Sequence, residues 1–464
     1  MRNEVMGSLR NKLLATSVLG AAAMAAMPAH AQMDPATAAR IEALENKIQD
    51  LEIKLGSQVK EAQAKADQAV KAAGNAEYDG TDFEFDSPDG KHHFEIGGRI
   101  MVDAAWYNDD DNRAGNFDFT DGTEFRRARI FVEGKVYNDW KFKAQYDFAD
   151  ANFKDVWLAY TGFDFGPITV GQHKKPFGLE ELTSSKYITF MERNDVNDAI
   201  GGGGRQIGIS LWTGDDEMWG AAAGVFRGST AGFGATAGGG EGYSLTGRAW
   251  VAPIHEKTMV VHLGGSIDHT AFDDVAISDL STEAATHVDG FDPVDTDDWT
   301  LGARGRTSYG LEAAAVYGPF SVQGEYIRTT IKDGFHDDAP AGLNPQDYTF
   351  DGWYAFASFF LTGESRNYDV GDGSFGRVKP KSVVGEGGYG AWEVALRYST
   401  LDLSDSFAQG GQLDDWTIGL NWYATKNVRF MANYVIADIE GATAQTGIVN
   451  QDLNILQFRA QIDF

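Results

Sequence analysis

The stretch that decides the fold is Glu124-Phe125-Arg126-Arg127-Ala128-Arg129-Ile130-Phe131-Val132-Glu133-Gly134-Lys135-Val136, then Tyr137-Asn138-Asp139, then Trp140-Lys141-Phe142-Lys143-Ala144-Gln145-Tyr146-Asp147-Phe148. In the first half Ala128, Ile130, Val132 and Val136 alternate with Arg127, Arg129, Glu133 and Lys135. In the second half Trp140, Phe142, Ala144, Tyr146 and Phe148 alternate with Lys141, Lys143, Gln145 and Asp147. A side-chain period of 2 means two strands, and Asn138-Asp139 supplies the tight turn between them. One face is too charged for a packed core, and the other needs a dry partner. Lipid outside and water inside meet both needs.

Working outward, the same alternation recurs. His93 to Tyr107 sets Phe94, Ile96, Ile100, Val102, Ala104 and Trp106 against Glu95, Arg99 and Asp103. Sixteen such segments are predicted: 93–107, 124–137, 140–149, 153–161, 167–173, 206–213, 218–227, 243–252, 258–268, 309–317, 320–331, 349–361, 391–401, 413–423, 428–438 and 452–464. Short connections (Asn138-Asp139, Gly318-Pro319, Thr425-Lys426-Asn427) alternate with long acidic ones (Asp109 to Thr123, His269 to Asp298). Gly363 to Gly390 is long yet falls on the short-turn side, which leaves the strand count open by two. The fold class expected is all-β, a 16-stranded antiparallel transmembrane β-barrel preceded by a short periplasmic coiled-coil helix. Leu456, Phe458, Ala460, Ile462 and Phe464 alternate to a terminal Phe, which resembles the signal read by the outer-membrane assembly machinery.

The N-terminal segment predicts export. Arg2, Arg10 and Lys12 precede an Ala-rich apolar run from Leu13 to Met27, and Ala29-His30-Ala31 has the small-x-small pattern of a signal-peptidase site. The run is shorter than the roughly 20 residues that a membrane-spanning helix needs. Ile41, Leu44, Ile48, Leu51 and Leu55 then follow 3-4-3-4 spacing, an a/d seam that weakens over Gln58, Ala62, Lys65 and Ala69. The domains expected are a signal peptide (1–31), a periplasmic coiled coil (32–73), a linker rich in turn residues (74–91) and an outer-membrane β-barrel (92–464). The alternative for 32–73 is a lone amphipathic helix.

Composition excludes several functions. Net charge is −29, and subtracting the signal segment's +2 leaves −31, so no nucleic-acid partner is expected. Exposed loops can carry most of that acid, so the total says little about a lumen. Without cysteine there is no disulfide, thiolate metal site or Cys nucleophile. The nine His are scattered, His92-His93 point to opposite faces, and Gly-x-Ser-x-Gly is absent, so no enzyme is expected. No cofactor is expected. Asp109-Asp110-Asp111 has no specific ligand spacing, so no metal is assigned.

Three blocks carry a family resemblance. They are Phe125-Arg126-Arg127-Ala128-Arg129 through Phe148; Gly171-Gln172-His173-Lys174-Lys175-Pro176-Phe177-Gly178-Leu179-Glu180 with Leu182-Thr183-Ser184-Ser185 and Phe190-Met191-Glu192-Arg193; and Leu361-Thr362-Gly363-Glu364-Ser365-Arg366-Asn367-Tyr368 with Trp392-Glu393 and Arg397-Tyr398-Ser399. The chain resembles the phosphate-selective porin O/P family. The resemblance implies a trimeric porin whose inward-folded loops narrow the pore and whose basic residues select anions. It also implies a small anion such as phosphate or pyrophosphate as cargo, and outer-membrane lipid and lipopolysaccharide as surroundings.

The residues point the same way. Lys174 and Lys175 end a short strand, and the segment up to Arg205 is long enough to fold back into a lumen. Pro176 and Gly201 to Gly204 permit its reversals. Lys174, Lys175, Arg193 and Arg205 are basic candidates there; the alternative makes them ion-pair partners of Glu180, Glu181, Glu192 and Asp195. By parity Arg99, Arg127, Arg129, Arg248, Arg397, Arg429 and Arg459 face inward, a ladder along which an anion can hop between weak sites. Arg304 and Arg306 are assigned to the end of a second long loop that could fold inward. No Lys or Arg lies in His269 to Asp298, so a general small-solute porin stays open. So does a membrane-to-cell-wall tether.

Overall fold

A computed structural model describes residues 34–73, 75–78, 82–109, 119–215, 217–228, 242–276, 280–296, 303–334, 345–405, 408–441 and 450–464. The expected signal segment and the acidic run at Asp110 lie outside them. Pro35–Ala73 is one helix and a unit by itself. Among the described residues no helix is long and apolar enough to cross a membrane.

The second unit is a closed antiparallel barrel. Its wall strands are β1 (His93–Asp109), β2 (Gly122–Val136), β3 (Trp140–Asp147), β4 (Asn152–Tyr160), β5 (Ile168–Lys174), β6 (Arg205–Gly214), β7 (Trp219–Arg227), β8 (Tyr243–Glu256), β9 (Met259–Ala276), β10 (Ala303–Tyr317), β11 (Phe320–Gly334), β12 (Gln346–Phe360), β13 (Ala391–Asp405), β14 (Ala408–Tyr423), β15 (Val428–Glu440) and β16 (Asn450–Asp463). Each pairs with the next, and β16 closes on β1 from Leu453↔Asp109 to Asp463↔Arg99. Closure leaves no open edge. All sixteen predicted segments are wall strands, so the count of sixteen holds.

The alternation is realised as expected. Ile100, Val102, Leu263, Leu311, Leu396, Ile418 and Phe458 stand exposed on the outer face. Arg99, Arg127, Arg129, Arg248, Arg397, Arg429 and Arg459 are buried on the inner one. Outward aromatics form two clusters on neighbouring strands. Trp392, Trp422 and Phe430 stack at the turn end, while Trp353, Tyr398 and Trp416 adjoin one another half-way along β12 to β14. An apolar, aromatic-bearing outer face is the exterior a bilayer requires.

Wall height is uneven. β3 to β7 run 7 to 10 residues, against 13 to 18 elsewhere.

Three expectations need correction. The stretch expected to be a linker contains strands: Asn75–Tyr78 pairs with Phe83–Asp86, which pairs with the start of β1. Phe83 and Phe85 alternate with Glu84 and Asp86, a pattern that the surrounding turn residues hid. The acidic loop expected from His269 starts later, because β9 runs on to Ala276. Its part 280–296 turns inward, burying Leu280, Ala284, Ala285 and Val294 against wall residues such as Ile327, Phe350 and Leu413. Arg304 and Arg306 belong to β10 and not to a loop: Arg306 pairs with Thr270 of β9 and Ile331 of β11, and Arg304 lies within a register shift between the β9 pairs Ala271↔Gly305 and Ala276↔Ala303.

Candidate pore and anion-binding cavity

The segment between β5 and β6, residues 175–204, crosses the lumen. Gly178 (φ 73°) and Gly204 (φ 90°) make its reversals in the left-handed region. Two short helices, Leu179–Leu182 and Asp195–Ile200, lie within it, the second capped by the Asn194 side chain accepting from Asn197 N–H. Between them the backbone has no strand neighbour, so its polar groups need other partners. The wall supplies them. Arg429 donates to the carbonyls of Ile188 (2.7 Å) and Thr189 (3.0 Å), Arg397 to Glu192 (3.1 Å) and Arg459 to Met191. The Glu325 carboxylate accepts from Leu179 N–H at 2.9 Å and Glu180 N–H at 2.8 Å. Glu192 gathers Arg126 (2.9 Å), Arg127 (3.5 Å) and Arg459 (2.5 Å). Burial works against its charge, but these arginines outweigh burial and hold the carboxyl well below the ordinary range.

The long connection between β12 and β13, residues 361–390, is on the turn side as counted, and it too enters the lumen. Trp250 Nε1 donates to Val370 O (2.7 Å) and Arg248 to Gly373 O (2.7 Å). His262 bridges Tyr368 Oη (2.5 Å) and Glu312 (3.1 Å). Phe375 N–H donates to Thr183 of the first lumenal segment (3.3 Å), so the two inserts meet. The turn-side residues Tyr368, Val370 and Phe375 bury a cluster with Leu179, Ala252 and Val316.

Between the inserts and the wall lies a cavity of 680 Å³, lined by residues of β1 to β6, the two inserts and Asp82. Its wall holds nine Lys or Arg (Arg99, Arg127, Arg129, Lys143, Lys174, Lys186, Arg193, Arg205, Arg377) and five Asp or Glu (Asp82, Glu95, Glu133, Asp155, Asp372), a local excess of four positive charges. Ser184, Ser185 and Tyr187 add hydroxyls. Most of the cations are paired: Arg129 with Asp147 (2.5 Å), Arg205 with Asp155 (2.9 Å), Lys174 and Arg193 with Glu181 (3.2 and 3.0 Å), Lys143 with Glu133, and Arg377 with Asp463. Arg99 makes no ion pair among the described residues and donates to Ser185 Oγ at 2.6 Å. Among the described residues Lys186 has one ion pair, a long one to Asp463 at 3.9 Å, and its ammonium lies over the Phe131 and Tyr187 rings. Burial first, then repulsion from Arg99, pushes the Lys186 ammonium down to about 8. Two cations without a close counter-charge, beside two serine hydroxyls, are what a permeating anion can use.

Of the thirteen candidates from sequence, six line this cavity: Arg99, Arg127, Arg129, Lys174, Arg193 and Arg205. The other seven do not. Lys175 is buried on Asp268 (2.8 Å), Arg248 on Glu312 (2.7 Å), and Arg306 donates to Gly201 O (3.2 Å). Arg397, Arg429 and Arg459 pin the lumenal segment, and Arg304 is exposed near the start of β10. Sequence reasoning missed Lys143, Lys186 and Arg377. Lys143 was already on the charged face of β3, and Lys186 follows the quoted Ser184-Ser185. Arg377 sits in the segment that broke the loop rule and carried no periodic signal.

The model of the family "phosphate-selective porin O and P" matches residues 94–464. Porin O of Pseudomonas aeruginosa is 30% identical over 422 residues, covering 82% of this chain and 90% of that protein. An uncharacterized protein of Caulobacter vibrioides is 30% identical over 388 residues, covering 81% of this chain and 75% of that protein. Among solved structures, an anion-selective porin from Comamonas acidovorans aligns with TM-score 0.48 at 16% identity, over 80% of this chain and 100% of that one. The outer-membrane channel DcaP of Acinetobacter baumannii aligns with TM-score 0.48 at 12% identity, over 82% and 99%. With the family match spanning the barrel, the chain belongs to the phosphate-selective porin O and P family, an outer-membrane channel protein and not an enzyme.

Proposed function

We propose that the chain conducts small anions passively, phosphate or pyrophosphate first, through the cavity beside β1 to β6. The observation that carries this is the cavity's excess of positive charge in a chain of net −29, with Arg99 and Lys186 lacking close counter-ions. The test is a planar bilayer with the purified protein, reading reversal potential in a chloride gradient and then titrating phosphate. Strong anion preference with chloride current blocked by phosphate supports the reading. Weak selectivity without block replaces it with a general diffusion porin, which the pairing of most lumenal arginines favours.

The working form is a homotrimer. Support comes from the low wall: a spanning strand needs about 9–11 residues, and β3 to β5 have 7 to 9. That sector still exposes Phe148, Phe153, Leu158 and Val170, which suit a protein neighbour. The helix Pro35–Ala73 is assigned to the periplasm as a coiled coil. Leu44, Ile48, Leu51 and Leu55 are exposed along one seam in the single chain, and copies brought together by the barrels would cover them. The signal peptide (1–31), recognition of Phe464 during assembly, and lipopolysaccharide contacts complete this reading.

A further inference from the structure

We propose that Glu84, Asp86 and His93 form a binding site for a divalent transition-metal ion, zinc in type, at the turn-side mouth of the pore. From sequence no metal is assigned: the acidic run Asp109-Asp110-Asp111 has no specific ligand spacing, and Glu84 and Asp86 fall in the stretch expected to be a linker. The fold brings them together. Phe83–Asp86 pairs with β1 in the register Asp86↔His93 and Glu84↔Glu95. Residues two apart on a strand share a face, and directly opposed residues share it too. All four side chains therefore project to one side of the ribbon. One ligand atom each from Glu84, Asp86 and His93 lies within 4.8 Å of the others, and His93 Nδ1 is 3.0 Å from Asp86 Oδ1. Ligand bonds of about 2.0–2.2 Å to zinc require only small rotamer changes from there.

The scaffold is rigid where it matters. The connecting turn is closed by Ser87 N–H donating to His92 O and Gly90 N–H to Ser87 O, both 2.9 Å, and Ser87 Oγ donates to Asp89 at 2.7 Å. The neighbouring His92 packs away on Tyr137, ring to ring at 4.9 Å, leaving His93 as the imidazole of the site. The Asp86 side chain is 48% exposed and that of His93 24%, so an ion can enter from water.

Imidazole with carboxylates suits zinc-like ions, whereas calcium and magnesium prefer oxygen alone. Three protein ligands leave a coordination position for water or for an oxygen of an anion. Glu95, on the same face, and Asp82 line the anion cavity. An ion held beside them offsets the acid where the anion path meets the turn side. Binding stands by itself; this effect on conduction rests on the anion-channel reading above.

The test uses the full-length protein in detergent, stripped with chelator and titrated with zinc by calorimetry. Wild type is expected to take up one ion per chain at a saturable site, weakened in Glu84→Gln and further in Asp86→Asn/His93→Gln by more than the roughly 10–100-fold that loss of a ligand's hydrogen-bond partner costs. Heat-modifiable gel mobility verifies that each variant keeps its barrel. Absence of saturable uptake, or uptake identical in folded variants, overturns the site. In bilayers, zinc on the turn side is expected to raise anion preference in wild type and not in the double variant. Saturable zinc uptake in a pore without anion preference would sink the channel reading and leave the site standing. A selective pore that binds no zinc does the reverse.

Discussion

Arg459 on the last wall strand lies 2.5 Å from Glu192, a residue of the lumenal segment 267 positions earlier in the chain. The same guanidinium holds Asp103 on β1, with contacts of 2.8 and 2.5 Å. One arginine thus ties the barrel's closing seam to the loop that narrows the pore. Buried charges are tolerable only when paired, and here the pairing also positions the loop.

Replacing Glu192 by Gln should loosen that loop. Arg126, Arg127 and Arg459 lose their shared anion, and breaking such a buried cluster costs roughly 3–5 kcal/mol. A lower denaturation midpoint in detergent is expected, together with a higher chloride-to-potassium permeability ratio, because a negative charge has gone while the arginines remain. An unchanged midpoint would mean that the arginines, and not Glu192, hold the loop.

Lys186 and Lys175 should behave differently. Arg99→Gln and Lys186→Gln remove the two cations without close counter-charges, so each should weaken block of chloride current by phosphate, and the pair should abolish it. Lys175 is buried on Asp268, away from the cavity, and Lys175→Met is expected to leave block unchanged while lowering stability. Phosphate titration of single-channel current separates the two. Equal loss of block in all variants would point to general lumen charge and against a defined site.

How much of this was legible in the sequence depends on the kind of signal. Period-2 alternation places every wall strand and also the direction of seven lumenal arginines: Arg99, Arg127, Arg129, Arg248, Arg397, Arg429 and Arg459 all face inward. Parity gives direction and not partner. What Arg397, Arg429 and Arg459 meet is loop backbone 205 to 268 residues away, which no local pattern encodes. The inward turn of residues 280–296 was hidden by their acidity, since Leu280, Ala284, Ala285 and Val294 are spaced irregularly among Asp and Glu. Phe83 to Asp86 was hidden because four residues are too few for alternation to outweigh the turn residues on both sides.

Selectivity should fall with rising pH. The Lys186 ammonium is held down to about 8 by burial, with repulsion from Arg99 adding to it. Its charge is present below that value and lost above it, so anion preference should decline between about pH 7 and pH 9. Lys186→Arg keeps its charge throughout and should flatten the profile. Reversal potentials at several pH values decide this; a decline that persists in Lys186→Arg would assign the titration to another group.

The turn-side insert offers the sharpest test of which protein segments set the bore. Gly376 N–H donates to Asn367 O at 2.8 Å, so the two ends of the tip are already adjacent and a two-glycine link can replace the residues between them. The cut removes Tyr368, Val370 and Phe375, which fill lumen beside Leu179, and Asp372, one of the five acids of the cavity. It leaves Arg377 and the ladders of β12 and β13 in place. The barrel should therefore still form, since its closure does not depend on the insert. Single-channel conductance should rise because the plug is shorter, and anion preference should rise because an acid has gone. A folded variant of unchanged conductance would place the narrowest point elsewhere, at Ser184 to Tyr187, and would leave the insert a structural role only.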